Sequence, residues 1–591
     1  NIAKNILARA DFPGKTVEAI MNLTLDELKE FYSKDLALEF ISYVRPLVDM
    51  VLTGEALEVA YNFAQYVVPS EFAYLLEQSL TKGDLANDVH SVIDIVEVLI
   101  ESDLIKLAFK KDIPLAGISA AINEIIDIVI HTNIFGRDLA RVFEGTLALA
   151  GLEVAYDDLA KVNYKEDFKV IYSIVEDVEA ILINSKFETV LGAVDGLKDA
   201  IASGTAVLRN KDLVNDANVL AVLDIVVKAL DLTLVEAVAE PLYETAIEKV
   251  VNEFGLPEAL ADTNRYGYAD LISDAKLGID AVRELVAFGA IGYYQDNTVI
   301  NFANTEPIVN IIANLFSLEF LDEFDEELIS FAGEKLGIDF TDVDVDSINW
   351  VQDAQVFAYA YVTVATRILA DAEFPVKRYS DIRSFEFDIH DYAKERYALA
   401  GLEALDLCIN TTIFDAFGLF LLDYANNNYV PEGLRFIANE ANLTKSELRS
   451  DAHTLVDVAE IAINSGLAKL AVKKDMPLAG ISTPINSIIE KLVHLNILSR
   501  DYARLVSGVL AYLDLEVSYD ELTKVDFEGD FETIYSIVED VEAILINSKF
   551  ETVLGAYSGI KSAIQIAREF VRNKDLVNDA NVLAVLDIVV K

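Results

Sequence analysis

The sequence predicts an all-α protein, a tandem array of helical units of about 90 residues nested in a longer period, forming an extended solenoid or a chain of stacked helical bundles. Three observations lead there. Long stretches of the sequence occur twice, apolar residues recur at three-and-four spacing, and 591 residues with 53% apolar content exceed what one core can hold.

The repetition comes first. "YSIVEDVEAILINSKFETVLGA" begins at Tyr172 and again, unchanged, at Tyr535. "KDIPLAGIS" at Lys111 returns as "KDMPLAGIS" at Lys474, and "RNKDLVNDANVLAVLDIVVK" ends at both Lys228 and Lys591, so the period is 363 positions. A more diverged match, "ILARADFP" at Ile6 against "ILADAEFP" at Ile368, lies one position out of step.

A shorter period is expected inside the long one. Helices close on a small residue, a polar residue and then Phe or Leu, at Phe12, Leu104, Phe187, Phe288, Phe374, Leu467 and Phe550. Cutting there gives a partial unit 1–12, helical units 13–104, 105–187, 188–288, 289–374, 375–467 and 468–550, and a partial unit 551–591. A connector supports the phase: Gly151, Asn163, Tyr164 and Asp167 align with Gly337, Asn349, Trp350 and Asp353, and more loosely with Gly255, Asn264, Tyr266 and Asp270. The chain starts and stops within expected helices, which suggests a window from a longer array.

The helices follow from periodicity. Ile171, Ile174, Val175, Val178, Ile181 and Leu182 fall on one stripe, with Ser173, Glu176, Asp177 and Glu179 expected to face away. Valine and isoleucine favour strands by intrinsic preference, but alternation with period two is scarce, so the helical pattern wins. Thr24 to Glu27, Thr81 to Asp84 and Thr444 to Glu447 read as capping boxes.

Composition narrows the function. With 47 basic and 99 acidic residues the formal charge is -52, which disfavours nucleic acid and anionic membranes as partners. The longest apolar run, Ala354 to Thr366, is too short to span a bilayer, and the first residues lack the features of a signal peptide. One cysteine, Cys408, rules out an intrachain disulfide and a cysteine-based zinc site.

No chemical motif survives inspection. His90, His131, His390, His453 and His494 have no close metal-ligand spacing, and "DIHDY" around His390 reads as an acidic helix face. "FPGKT" ends like a phosphate loop, but Arg9 stands where glycine is required five positions before Gly14. In "TDVDVDSINWVQD", Asp342, Asp344 and Asp346 take the first, third and fifth places of a calcium loop and Asp353 the twelfth, while Ser347 replaces the turn glycine. A solvated connector is the favoured reading there, with calcium as the only cofactor the sequence suggests. Asn22, Asn410 and Asn442 head glycosylation sequons at about the frequency chance gives.

The functional expectation is a non-enzymatic structural and interaction protein, a fragment of a longer acidic stalk, fibre or coat at a bacterial cell surface. Its expected partners are other copies of itself or other surface proteins, and the alternative is a carrier of lipid or another apolar ligand. Glu176, Asp177, Asn184 and Glu188 are identical in both copies although a solvent-facing position is expected for each. Recent duplication explains that most simply; a recurring contact with a neighbour is the other explanation.

Overall fold

The computed structural model describes residues 34–64, 80–341, 343–386, 394–430, 435–439, 442–512, 515, 517–565 and 579–590, with Thr16, Glu18 and Asn22 besides. The described residues are helical and contain no strand, only isolated bridges such as Pro114 with Thr189. Phe12, the Thr24 box, "FPGKT" except its Thr16, Asp342 and His390 lie outside the described residues.

Two compact units divide the chain, Asn1–Ile272 and Ser273–Lys591. In the first unit, α1 (Lys34–Val48) packs on α2's neighbour α3, where α2 is Val51–Ala64 and α3 is Lys82–Glu101. Ile41 and Val48 of α1 meet Ile93 and Ile100 of α3, apolar residues a whole number of turns apart on each helix. Next come α4 (Ile118–Ile130), the single turn α5 (Asn133–Gly136), α6 (Leu139–Leu149) and the single turn α7 (Tyr156–Leu159). The long α8 (Tyr164–Asn184), α9 (Val190–Ala202), α10 (Asp216–Leu230) and α11 (Thr233–Phe254) complete the unit. Ala140, Val154 and Leu159 form a core onto which Leu234, Ala237 and Val238 of α11 pack.

The second unit includes α12 (Tyr268–Phe288) from Ser273 onward, α13 (Glu306–Phe316), α14 (Glu319–Glu323), α15 (Asp325–Leu336), α16 (Trp350–Val364), α17 (Glu395–Cys408) and α18 (Thr412–Tyr429). It continues through α19 (Lys445–Asn464), α20 (Ser482–Val493), α21 (Asn496–Ser499), α22 (Tyr502–Tyr512), α23 (Tyr519–Leu522), α24 (Phe527–Asn547), α25 (Val553–Gln565) and α26 (Asp579–Val590). Its cores include Val343, Val345, Ile348 and Ala416, and separately Phe374, Val376 and Tyr397.

The start and stop signals have clear physical forms. Thr81 and Thr444 each accept from the backbone of the third helical residue while Asp84 and Glu447 reach back to the cap nitrogen, so both boxes are complete. The closing motif is a Schellman cap. Ser185 ends α8, Lys186 turns left-handed at φ 68°, its N–H meets the Ile183 carbonyl at 3.0 Å, and the Phe187 N–H reaches Leu182 at 3.2 Å. Ser548, Lys549 and Phe550 repeat it, with 2.9 and 3.2 Å bonds to Ile546 and Leu545. The phenylalanine then lies against Gly196 or Gly559, where a Cβ would overlap the ring. Phe288 and Phe374 depart from the pattern: Phe288 is itself the last residue of α12, with the left-handed position after it at Gly289, and no left-handed residue precedes Phe374, whose N–H bonds the Asp371 carbonyl at 3.0 Å.

Beyond the caps, pairs of segments lock together through short backbone ladders. Leu115 N–H donates to Glu188 and Val190 N–H to Ile113, while Leu478 and Val553 make the same bonds with Glu551 and Met476. Asp112 accepts from the Leu191 backbone at 2.9 Å, as Asp475 does from Leu554 at 2.9 Å. At the Val299–Arg378 bridge, Asn297 takes that place and accepts from Ser380 at 3.0 Å.

Candidate functional site

Among the described residues, five buried aspartates share one arrangement: Asp88, Asp167, Asp274, Asp353 and Asp451, none more than 9% exposed. Each sits in the first two turns of a long helix and receives the opening backbone N–H groups of a later helix. Asp88 accepts from Asn133 N at 2.6 Å and Ile134 N at 2.9 Å, across 45 and 46 positions. Asp274 accepts from Glu319 and Phe320, both at 2.9 Å, and Asp451 from Asn496 at 2.7 Å and Ile497 at 2.9 Å. Asp167 accepts from Thr233 N at 3.1 Å and Leu234 N at 2.7 Å. Asp353 accepts from Thr412 N, Thr412 Oγ1 and Ile413 N, all at 2.8 Å.

The physical reason is common to all five. A helix start presents orphan N–H groups and the positive end of its dipole, and a carboxylate with two free oxygens satisfies both. Burial then strengthens the interaction because water cannot compete. The result is a clamp between segments distant in sequence.

The connector residues take defined roles around two of these clamps. Gly151 and Gly337 are left-handed at φ 78° and 70°, and Asn163 and Asn349 donate backbone N–H to Thr233 Oγ1 at 2.9 Å and Thr412 Oγ1 at 2.7 Å. The looser third alignment holds at Gly255, φ 60°, but not at Asp270, which accepts locally from Gly267 at 2.8 Å. Four residues later, Asp274 makes the interhelical clamp instead.

The calcium-loop residues go separate ways. Asp344 pairs with Lys445 at 2.8 Å, and Asp353 commits both oxygens to α18. Asp346 faces Glu326, whose carboxyl it pushes above the ordinary value, with burial adding to the effect. Among the described residues, no group of three or more histidine, cysteine or acidic side chains is placed to share a metal ion. His90 meets Asp49 at 2.9 Å, His131 the Asp127 carbonyl at 2.7 Å and its carboxylate at 3.5 Å, and His494 the Glu490 carbonyl at 2.6 Å. His453 lies between Asp406 at 2.5 Å and Asn410 at 3.2 Å.

Polar residues of the duplicated stretch are less solvent-directed than their pattern implies. Glu179 accepts from the Gly117 and Ser119 backbones at 2.5 and 2.6 Å, seating the start of α4. Burial pulls its carboxyl upward, but the Ser119 hydroxyl, and after it the Gly117 and Ser119 backbones, hold it below the usual range. Glu542 does the same for Gly480 and Ser482 at 2.5 and 2.8 Å. Lys228 bridges Ser173 at 2.7 Å and Asp177 at 2.5 Å, and Asn184 donates to Asn218 at 2.7 Å. Conversely Val178, expected on the buried stripe, is 42% exposed, as is its counterpart Val541.

Among the described residues, no single helix is long and apolar enough to cross a membrane. α17 and α18 pass such a test only as a pair, and they meet at 100° with Ala400, Ala404 and Ala416 buried within the protein. A groove beside α15 is edged by Glu326, Glu334 and Asp339, so its rim is acidic. No protein-family model, curated protein or solved structure matches this chain.

Proposed function

We propose that the protein is a structural and interaction element, part of a helical array that builds a stalk, fibre or coat at a cell surface, of bacterial type. The carboxylate clamp carries this reading. It joins successive segments by the same bonds at positions 363 apart, as in Asp88 with Asn133 and Asp451 with Asn496. Such a joint can be added again and again, so that length grows by units and stability by unit and interface terms.

Surface features support a role in association. Val92, Val178 and Ile183 are 55%, 42% and 42% exposed, and their counterparts Leu455, Val541 and Ile546 are 51%, 42% and 43% exposed. Aliphatic side chains left in water at matching places in both copies suit a recurring lateral contact, while the charge of -52 keeps so apolar a chain dispersed. This role requires no cofactor and no bond-making chemistry.

Electron microscopy of the purified protein, and of intact source cells under a gold-labelled antibody, tests the reading. Rods or filaments, with gold on the outer surface, are expected. Compact separate globules, or label confined to the interior, would overturn it.

A further inference from the structure

Basic residues are outnumbered 47 to 99, yet they gather twice at one kind of turn. "LIKLAFKK" at residues 104–111 and "LAKLAVKK" at 467–474 each hold three lysines and no acid, and no other eight consecutive residues of the chain hold three basic side chains without an acidic one. Around them the copies have drifted. Asp103, Ile105 and Phe109 stand where Gly466, Ala468 and Val472 do, while Lys106, Lys110 and Lys111 persist as Lys469, Lys473 and Lys474. The apolar neighbours changed and the charges did not.

The backbone does not call for these lysines. Each run wraps a single helical turn, Ile105–Ala108 or Ala468–Ala471, and then bends through Lys110 or Lys473, both left-handed at φ 56°. Glycine takes that conformation without strain, and one turn of helix has too small a dipole to demand a cation. Lys110, Lys111, Lys473 and Lys474 are exposed, and no described residue bonds their ammonium groups. Lys106 pairs with Asp103 at 2.9 Å, a partner that Gly466 denies to Lys469. The adjacent Asp112 and Asp475 are spent on the backbones of Leu191 and Leu554. The second copy follows Lys110 in the chain and the first precedes Lys473, and both turns are bare.

The complement lies in the same chain. Six of the nine residues 319–327, "EFLDEFDEE", are acidic and none is basic. Glu319 and Asp322 edge one recess with Asp346 beside Trp350. Asp346 also faces Glu326 and holds its carboxyl above the ordinary value, and among the described residues no lysine or arginine bonds either group. Like charges left facing one another are relieved by cations brought from outside.

We propose that the lysine turns at Lys110–Lys111 and Lys473–Lys474 dock on the acidic ridge of residues 319–327 and Asp346 in a second copy of this chain. The inference rests on the structural reading above and names the contact by which copies associate. At about 150 mM salt, charges more than about 8 Å apart are screened from each other, so the general repulsion between two acidic chains fades while ammonium and carboxylate groups in contact still attract.

The test is sedimentation velocity of the full chain at about 150 mM salt, between about 1 and 100 μM. The parent is expected to sediment faster as its concentration rises. Lys110→Glu, Lys111→Glu, Lys473→Glu and Lys474→Glu together should weaken association about tenfold or more. Glu326→Lys with Asp346→Lys should do the same although that change lowers the net negative charge, which separates the contact from general repulsion. Mixed in equal amounts, the two variants should associate again, because the reversed charges now meet. Circular dichroism spectra that match the parent keep misfolding out of the comparison. A parent that stays monomeric, variants that associate as the parent does, or a mixture that regains nothing overturns the contact. Polyphosphate binding to the lysine turns of a chain that does not self-associate assigns them to an anionic polymer and overturns it too. The gold label on source cells is indifferent to all of these outcomes, so failure of this contact and failure of the structural reading are told apart.

Discussion

Asp353 is wholly buried and accepts three hydrogen bonds, each at 2.8 Å, so its removal strands three donors at once. Replacing a partner in a buried network costs more than the bond itself returns, because the orphaned groups lose water as well. Asp353→Ala is expected to destabilise the second unit by about 3 kcal/mol, and Thr412→Val, which leaves both backbone bonds in place, by about 1 kcal/mol. Urea melts followed by fluorescence check this locally, since the sole tryptophan, Trp350, stands three positions away. Equal melting midpoints for Asp353→Ala and the parent would refute the clamp as a stabilising device.

These aspartates were only half legible. Asp167 and Asp353 stood out within a repeated connector, but their partners lie 66 and 59 positions on, a distance over which no local pattern operates. A signal for Asp88 did exist: in the diverged pair "LANDVHSV" and "LRSDAHTL" the leucine, aspartate and histidine persist, and 45 positions later Asn133 and Ile134 persist as Asn496 and Ile497. Polar residues that survive where their neighbours drift are candidates for buried work. Glu179 was misjudged for the opposite reason, because its charge placed it on the outer face while its carboxylate reaches across to another helix.

At the scale of elements the sequence was far more informative, because caps and periodicity are local. Both described capping boxes were readable, and the small-polar-Phe motif turned out to be a Schellman cap whose left-handed residue need not be glycine, as Lys186 and Lys549 show. The boxes carry a pH dependence. The Thr81 and Thr444 backbones, then their hydroxyls, then Arg137 and Arg500, hold Asp84 and Glu447 below their ordinary values of 3.8 and 4.5. A carboxyl whose pKa is depressed on folding binds fewer protons folded than unfolded, so its contribution is present above the ordinary value and is lost as pH falls through the lowered one. Helix starts at α3 and α19 should therefore loosen as pH drops below 4.5. Asp84→Asn with Glu447→Gln should flatten that part of the stability curve, measured by circular dichroism melts between about pH 3 and pH 6. An unchanged slope in the double variant would assign acid sensitivity elsewhere.

For the whole molecule, the helical class followed from composition and spacing, whereas activity left no comparable trace. In the structural role proposed above, function would reside in faces, and faces are assembled from residues that sequence order scatters. The clamps also set how the chain would behave under tension. Each closes a loop of between 45 and 66 residues, and a residue pulled straight spans roughly 3.3–3.6 Å, so releasing one clamp pays out about 150 to 240 Å of slack. Stretched in an optical trap, the protein should lengthen in a staircase of such steps, each refolding when the load drops, and a single rupture of the entire chain would contradict this. In the proposed role as a stalk or fibre, a chain built this way would absorb a sudden pull by giving ground piecemeal, like stitches slipping along a seam.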